Sequence, residues 1–220
     1  MFSWSRIAPF RPSAFLRKFL NSRKVGQASA CAGLKPRHHL PVLGFVFLAL
    51  AACASKPPLP EFGTVPAFEL TCDNGKLFGS ATQLTGKVWI ADFIFTNCPG
   101  PCPRMTQHMK RIQDQSAGID DLKLISFTVD PERDSPEVLA AYGKRFGADP
   151  QRWYFLTGPR ESLHHLSKEV FKLGDVAPDL EHSTRFVLVD KKSRIRGYYS
   201  TTEPSFIAKL LEDAKALVKE

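Results

Sequence analysis

Cys98 and Cys102 stand in the segment Thr-Asn-Cys-Pro-Gly-Pro-Cys-Pro (Thr96 to Pro103), directly after the apolar run Val88 to Phe95. Two thiols at this spacing can close a disulfide, attack one as thiolates, or share a soft metal ion. The run before them is short, aromatic and β-branched and predicts a buried strand over 88–95, whose one acid, Asp92, must be paired or near an edge. Three prolines then stop the chain from extending the strand or starting a helix before Pro103. Proline suits a first helical position, so a helix is predicted over 103–117 with Cys102 at or near its N-cap. The partial positive charge at that helix end favours the Cys102 thiolate, the form that acts as nucleophile and metal ligand. A structural disulfide or a pair of inert buried thiols is the competing reading; a proline-framed loop at a helix start argues for chemistry instead.

The elements needed to position this pair follow along the chain. Ala67 to Thr71 and Lys76 to Phe78 flank an Asp-Asn-Gly turn and predict an N-terminal β-hairpin. After the strand and helix around the dithiol come a strand over 122–129, a Pro-rich loop from Asp130, and a helix capped by Ser135 and running to Phe146. A strand over 153–157, a helix over 159–171, strands over 185–190 and 194–199, and a closing helix over 204–219 complete the pattern. This alternation predicts an α/β fold with parallel pairing in its first half and an antiparallel hairpin at its end. A dithiol after the first βα turn of such a layout points to a thioredoxin-like fold, a mixed central sheet with helices on both faces. In that fold the loop entering the late hairpin lies close to the dithiol. Here it reads Glu181-His182-Ser183-Thr184, which puts an imidazole where thioredoxins carry a cis-proline followed by threonine.

Charge and leader narrow the setting. The formal charge is +8, but residues 1–52 hold eight Lys or Arg and no acid, leaving 22 basic against 22 acidic residues over 53–220. The body is neutral, so no nucleic-acid partner is expected. Basic residues Lys35 and Arg37 precede a 13-residue apolar stretch, Leu40 to Ala52, which is short of the roughly 20 residues a spanning helix needs. The stretch ends in Leu-Ala-Ala-Cys53, which resembles a bacterial lipobox, with cleavage before Cys53 and lipid attached to it. Residues 1–52 are thus expected to be a removed leader, 53–63 a lipid-anchored linker, and 64–220 the folded domain. The leader is long and partly resembles a mitochondrial presequence, but a start near Val25 or Leu34 would give ordinary signal proportions and is the favoured account. The expected location is the extracytoplasmic, periplasmic side of a bacterial membrane rather than the mitochondrial inner membrane; Ala54 after the lipidated cysteine would favour the outer membrane if there is one.

Of the remaining candidates, Cys72 in Thr-Cys-Asp-Asn-Gly is expected to be a partly exposed, incidental thiol, with a resolving partner for the dithiol as the alternative. Met105 and Met109 share a helix face and are expected in the core. His108, off that face, is expected at the surface, as are His164 and His165. Asp130 could orient the metal loop or fix its own loop through Arg133.

The dithiol segment, the stretch Phe-Thr-Val-Asp-Pro-Glu-Arg-Asp-Ser-Pro-Glu (127–137) and His182-Ser183-Thr184, in this order and spacing, resemble the SCO/SenC family over roughly residues 60–220. That resemblance implies a membrane-tethered, thioredoxin-like copper chaperone that delivers copper to, or reduces the cysteines of, the copper centre of a respiratory cytochrome oxidase. It implies Cys98, Cys102 and His182 as ligands of one copper ion, Cu(I), Cu(II) or both. Its expected partners are a copper-receiving oxidase subunit or another copper carrier, a thiol-disulfide reductant, and the membrane through its lipid. The residue chemistry agrees: two thiolates and an imidazole suit Cu(I) or Zn(II), whereas Mg(II) and Ca(II) want oxygen. Structural zinc takes four protein ligands, and only three are in view. The competing function is a metal-independent thiol-disulfide oxidoreductase or thiol peroxidase using Cys98 and Cys102. The first reading makes the chain a carrier, the second an enzyme.

Overall fold

The computed structural model describes residues 57–173 and 184–220. The leader and Cys53, and the loop that holds His182, lie outside the described residues.

The first strands are β1 (Gly63–Thr64), β2 (Glu69–Cys72) and β3 (Leu77–Gly79), followed by the short helix α1 (Ser80–Gln83). The central unit is β4 (Val88–Ile94), α2 (Cys102–Gln115), β5 (Leu122–Thr128), α3 (Pro136–Phe146) and β6 (Trp153–Thr157). Helix α4 (Arg160–His165) runs on into a π-helical turn, Leu166–Val170. Strands β7 (Arg185–Val189) and β8 (Arg194–Ser200) and helix α5 (Phe206–Lys219) close the chain.

One eight-stranded mixed sheet results, in the order β1-β8-β7-β4-β5-β6-β2-β3. Strands β4, β5 and β6 pair in parallel, so their carboxyl ends share one edge; β7 joins β4 antiparallel and β2 joins β6 antiparallel. All seven β4 residues are buried, as a central strand covered on both faces requires. Side chains alternate across it. Val88, Ile90 and Ile94 join a core with Met105, Met109 and Ile112 of α2, Leu139 of α3 and Leu210 of α5. Trp89, Ala91 and Phe93 join the opposite core with Phe78, Leu163 and Phe171. Met105 and Met109 are therefore core residues, as expected.

The start of the domain is fastened to β8. Phe62 N–H donates to Ile195 O at 2.9 Å and Val65 N–H to Ser193 O at 2.8 Å. Arg196, 5% exposed, donates to Leu59 O at 2.8 Å and Pro60 O at 3.1 Å and pairs with Asp190 at 2.9 Å. Neither β1 nor the π-turn was foreseen: a two-residue strand has too little pattern to read, and a π-turn shares the helix's apolar spacing.

Candidate metal centre

The dithiol sits at the carboxyl edge of the parallel strands. Cys98 lies in the loop after β4 and Cys102 opens α2, with Pro101 as its N-cap, one residue further into the helix than expected. They are not joined by a disulfide. Cys98 is 7% exposed and Cys102 wholly buried. The Cys102 sulfur accepts from Phe95 N–H at 3.4 Å, and the Cys98 sulfur from Gly100 N–H at 3.4 Å. Burial pushes the Cys102 thiol well above its ordinary value, opposed by the Phe95 amide and aided by its neighbour Cys98. This corrects the expectation of a helix-stabilised thiolate: desolvation at a wholly buried sulfur outweighs one helix end.

The loop is held by a residue that sequence reasoning passed over. Asp134, fully buried, accepts from Thr96 N–H at 3.1 Å and from the hydroxyls of Thr96 and Thr128. One carboxylate thereby joins the start of the dithiol loop to the end of β5 and to the loop before α3. Asp130 instead accepts from Arg133 at 3.0 Å within its own loop, so of its two expected roles the loop-fixing one is seen. Ser135 caps α3 as expected, accepting from Val138 N–H.

Beneath the dithiol lies Asp92, in a central strand and wholly buried, so the expected edge position is corrected while the expected partner is found in Ser126. Its Oδ1 accepts from Ser126 Oγ at 2.6 Å, which in turn accepts from Trp153 Nε1 at 3.0 Å. Oδ2 has no hydrogen-bond partner among the described residues. Burial raises its pKa to about 7, against the Ser126 hydrogen bond. The native state then keeps a proton that the unfolded chain releases near pH 4, so this group's contribution is fully present below about pH 4 and is lost as pH rises towards 7. Wild-type unfolding free energy should fall over that window, by at most about 4 kcal/mol from this group. In Asp92→Asn that part of the slope should vanish, as denaturant titrations at several pH values would show; an unchanged slope would refute the assignment.

Other candidates also fall into place. Cys72 is corrected from partly exposed to buried: it is the last residue of β2, and its side chain enters the core beside Phe78. Its Sγ donates to Asp73 Oδ1 at 2.9 Å, and burial, then that carboxylate, push the thiol up to about 12. His108 is half-buried, not at the surface, its ring edge-on to Phe206 with centroids 5.1 Å apart. His164 and His165 are exposed, as expected.

A cleft of about 240 Å³ runs beside the first turn of α2, lined by Pro101, Arg104, Met105, His108, Thr184, Thr201 and Thr202. Pro101 precedes Cys102, and Thr184 follows His182 by two residues. Among the described residues no group of three His, Cys, Asp or Glu is placed to bind a metal ion.

The family model described as SCO1/SenC matches residues 58–219, a range that takes in every strand and helix described above. The chain belongs to the SCO1/SenC family. Within that family it resembles the SCO1 protein homolog of Bacillus subtilis, 35% identical over 182 residues, covering 79% of this chain and 93% of the relative. Among solved structures it resembles BsSco, described as a member of the Sco family of cytochrome c oxidase assembly proteins with a disulfide switch: 31% identity, TM-score 0.65, 74% of this chain and 96% of the other. It also resembles yeast Sco1 with copper bound, at 25% identity and TM-score 0.57, covering 71% and 94%. The SCO1/SenC architecture is the thioredoxin-like mixed sheet described above.

Proposed function

We propose that this protein is a copper carrier that loads, or prepares the cysteines of, the copper centre of a respiratory cytochrome oxidase, using Cys98, Cys102 and His182 as ligands. The observation that carries the reading is the pair of thiols held together at the mouth of the sheet, with Thr184 lining the cleft next to Cys102. Two residues of chain reach about 7 Å, so a side chain at position 182 can approach the same ion. Two thiolates and one imidazole match Cu(I) in softness, and three ligands leave room for an incoming ligand of the client. The similar proteins support it: one is yeast Sco1 with copper bound, another a member of a cytochrome c oxidase assembly family.

The buried thiols make loading conditional. Both protons must leave for a dithiolate site to form, so affinity should rise with pH. Oxidation to a Cys98–Cys102 disulfide removes both donors, which makes a thiol-disulfide reductant a necessary partner. Cys53 carries the lipid that keeps the domain at the extracytoplasmic face of the membrane; among the described residues no helix is long and apolar enough to cross one.

The test is Cu(I) affinity, by competition with a chromogenic chelator, of the folded unit 54–220 and its His182→Ala variant, alongside insulin reduction. The expected result is one Cu(I) per chain, a loss of about tenfold or more in the variant, and insulin reduction far below that of a thioredoxin. Equal affinity in both, with brisk insulin reduction by both, would overturn the carrier reading in favour of an oxidoreductase.

A further inference from the structure

The chain enters the domain at the end of the sheet opposite the dithiol. Cys98 follows the last residue of β4, whereas the Arg196 clamp on Leu59 and Pro60 lies at the start of β8, and Trp89 near the start of β4 pairs with Val189 just before the β7–β8 turn. Seven residues of β4 separate the two ends, about 20 Å. Five residues lie between Cys53 and the clamped Leu59, so an acyl chain on Cys53 would hold that end within about 20 Å of a bilayer.

This entry end is rich in lysine. Lys87 pairs with Asp121, whose carboxyl is held below its ordinary value by that hydrogen bond and then by Lys87, Lys191 and Lys123. Lys191 also donates to Val218 O at 2.6 Å, which joins the β7–β8 turn to the end of α5. A shallow depression there carries Lys215 and Lys219 beside Asp120 and Asp121, and a second carries Lys191 and Lys192 beside Glu220. Lys192, Lys215 and Lys219 are exposed. Asp190 pairs with Arg194 and Arg196 at 2.7 and 2.9 Å, Glu61 with Arg194 at 3.1 Å and Glu220 with Arg196 at 3.3 Å. Lys87, Lys123, Lys191, Lys192, Lys215 and Lys219, with Arg194 and Arg196, thus outnumber Glu61, Asp120, Asp121, Asp149, Asp190 and Glu220 at this end, in a domain that is neutral overall. At the other end, around the dithiol loop and the start of α3, Asp130 pairs with Arg133 and Glu132 with Arg160, Asp134 is buried and Glu137 is exposed.

We propose that this lysine face docks on an anionic lipid surface, so that the anchored domain stands with its entry end on the bilayer and presents the dithiol away from it. Phosphate headgroups are the complementary chemistry, and an excess of lysine at the end from which a short tether leaves is what such a surface selects. Each lysine near an anionic surface strengthens binding about fivefold at low salt, and the effect fades as the Debye length shrinks. The orientation rests on the lipid at Cys53 proposed above; the lysine face does not, because it is testable in a unit without Cys53.

The experiment is vesicle co-sedimentation of residues 54–220, which form a compact unit with a core on both sheet faces. Vesicles of phosphatidylglycerol mixed with phosphatidylcholine are compared with pure phosphatidylcholine. The expected result is binding to the mixed vesicles only, abolished when salt brings the Debye length to about 3 Å. The pair Lys192→Glu and Lys215→Glu should weaken it by about twentyfold or more, while Arg104→Glu with Arg185→Glu, the same change in net charge at the dithiol end, should leave most of it. No binding to mixed vesicles at low salt, equal binding to both vesicle types, or equal loss in both charge variants would each overturn the proposal. Loss of lipid from Cys53 would leave all of these results unchanged and so reads out separately.

Discussion

Cys98→Ser and Cys102→Ser should each lower Cu(I) affinity by about a thousandfold or more, because each removes one of two soft donors and a hydroxyl does not replace a thiolate on Cu(I). The two losses should differ in their side effects. Cys102 is wholly buried and packed with Met105 and Met109, yet serine is nearly its size, so the fold should survive with a modest loss of stability. Cys98 lies in the loop at the margin of the same core and is 7% exposed, so its serine variant should unfold close to wild type. Stability in urea and Cu(I) competition on the same preparations separate the two effects. Retention of near-wild-type copper affinity by either variant would remove that sulfur from the site.

The second large effect is expected at Asp134, which is not itself a ligand. Its carboxylate takes three hydrogen bonds, two from Thr96 and one from Thr128, in full burial. Asp134→Ala strands a backbone N–H and two hydroxyls, at a cost of about 3 kcal/mol, to be read from the urea midpoint. Since Thr96 lies two residues before Cys98, the loop should also loosen, and Cu(I) affinity should fall between about tenfold and a hundredfold, the range seen when residues that orient metal ligands are removed. Asp134→Asn keeps one acceptor and should recover part of both losses. A variant as stable as wild type would mean that the two loops hold together without this carboxylate.

Asp134 also shows where sequence reading stops. The dithiol unit was legible because proline acts locally: Pro99, Pro101 and Pro103 end the strand and start the helix whatever surrounds them. The Ser135-Pro136 helix start and the hairpin turn at Asp73 to Gly75 were legible for the same reason. Asp134 bonds Thr96 across 38 residues, and nothing in either segment marks the other. Cys72 was misjudged in the same way, since its burial comes from β2 pairing with β6, where Cys72 faces Leu156. The protonation of Cys102 was misjudged because a helix end is visible in sequence, while the depth at which the sulfur is buried is not. Asp92 could be recognised as an odd acid in an apolar strand, but its raised pKa comes from the cores that seal it, against the Ser126 hydrogen bond. His182 was found by its place before the late hairpin and by resemblance to the SCO/SenC pattern, and its role in the site stands as a proposal.

X-ray absorption at the copper edge of the Cu(I)-loaded unit 54–220 tests the central claim most directly. The account predicts one copper per chain in a three-coordinate shell of two sulfurs and one imidazole nitrogen, with the nitrogen lost in His182→Ala. A shell without two sulfurs, or one unchanged by His182→Ala, would contradict it.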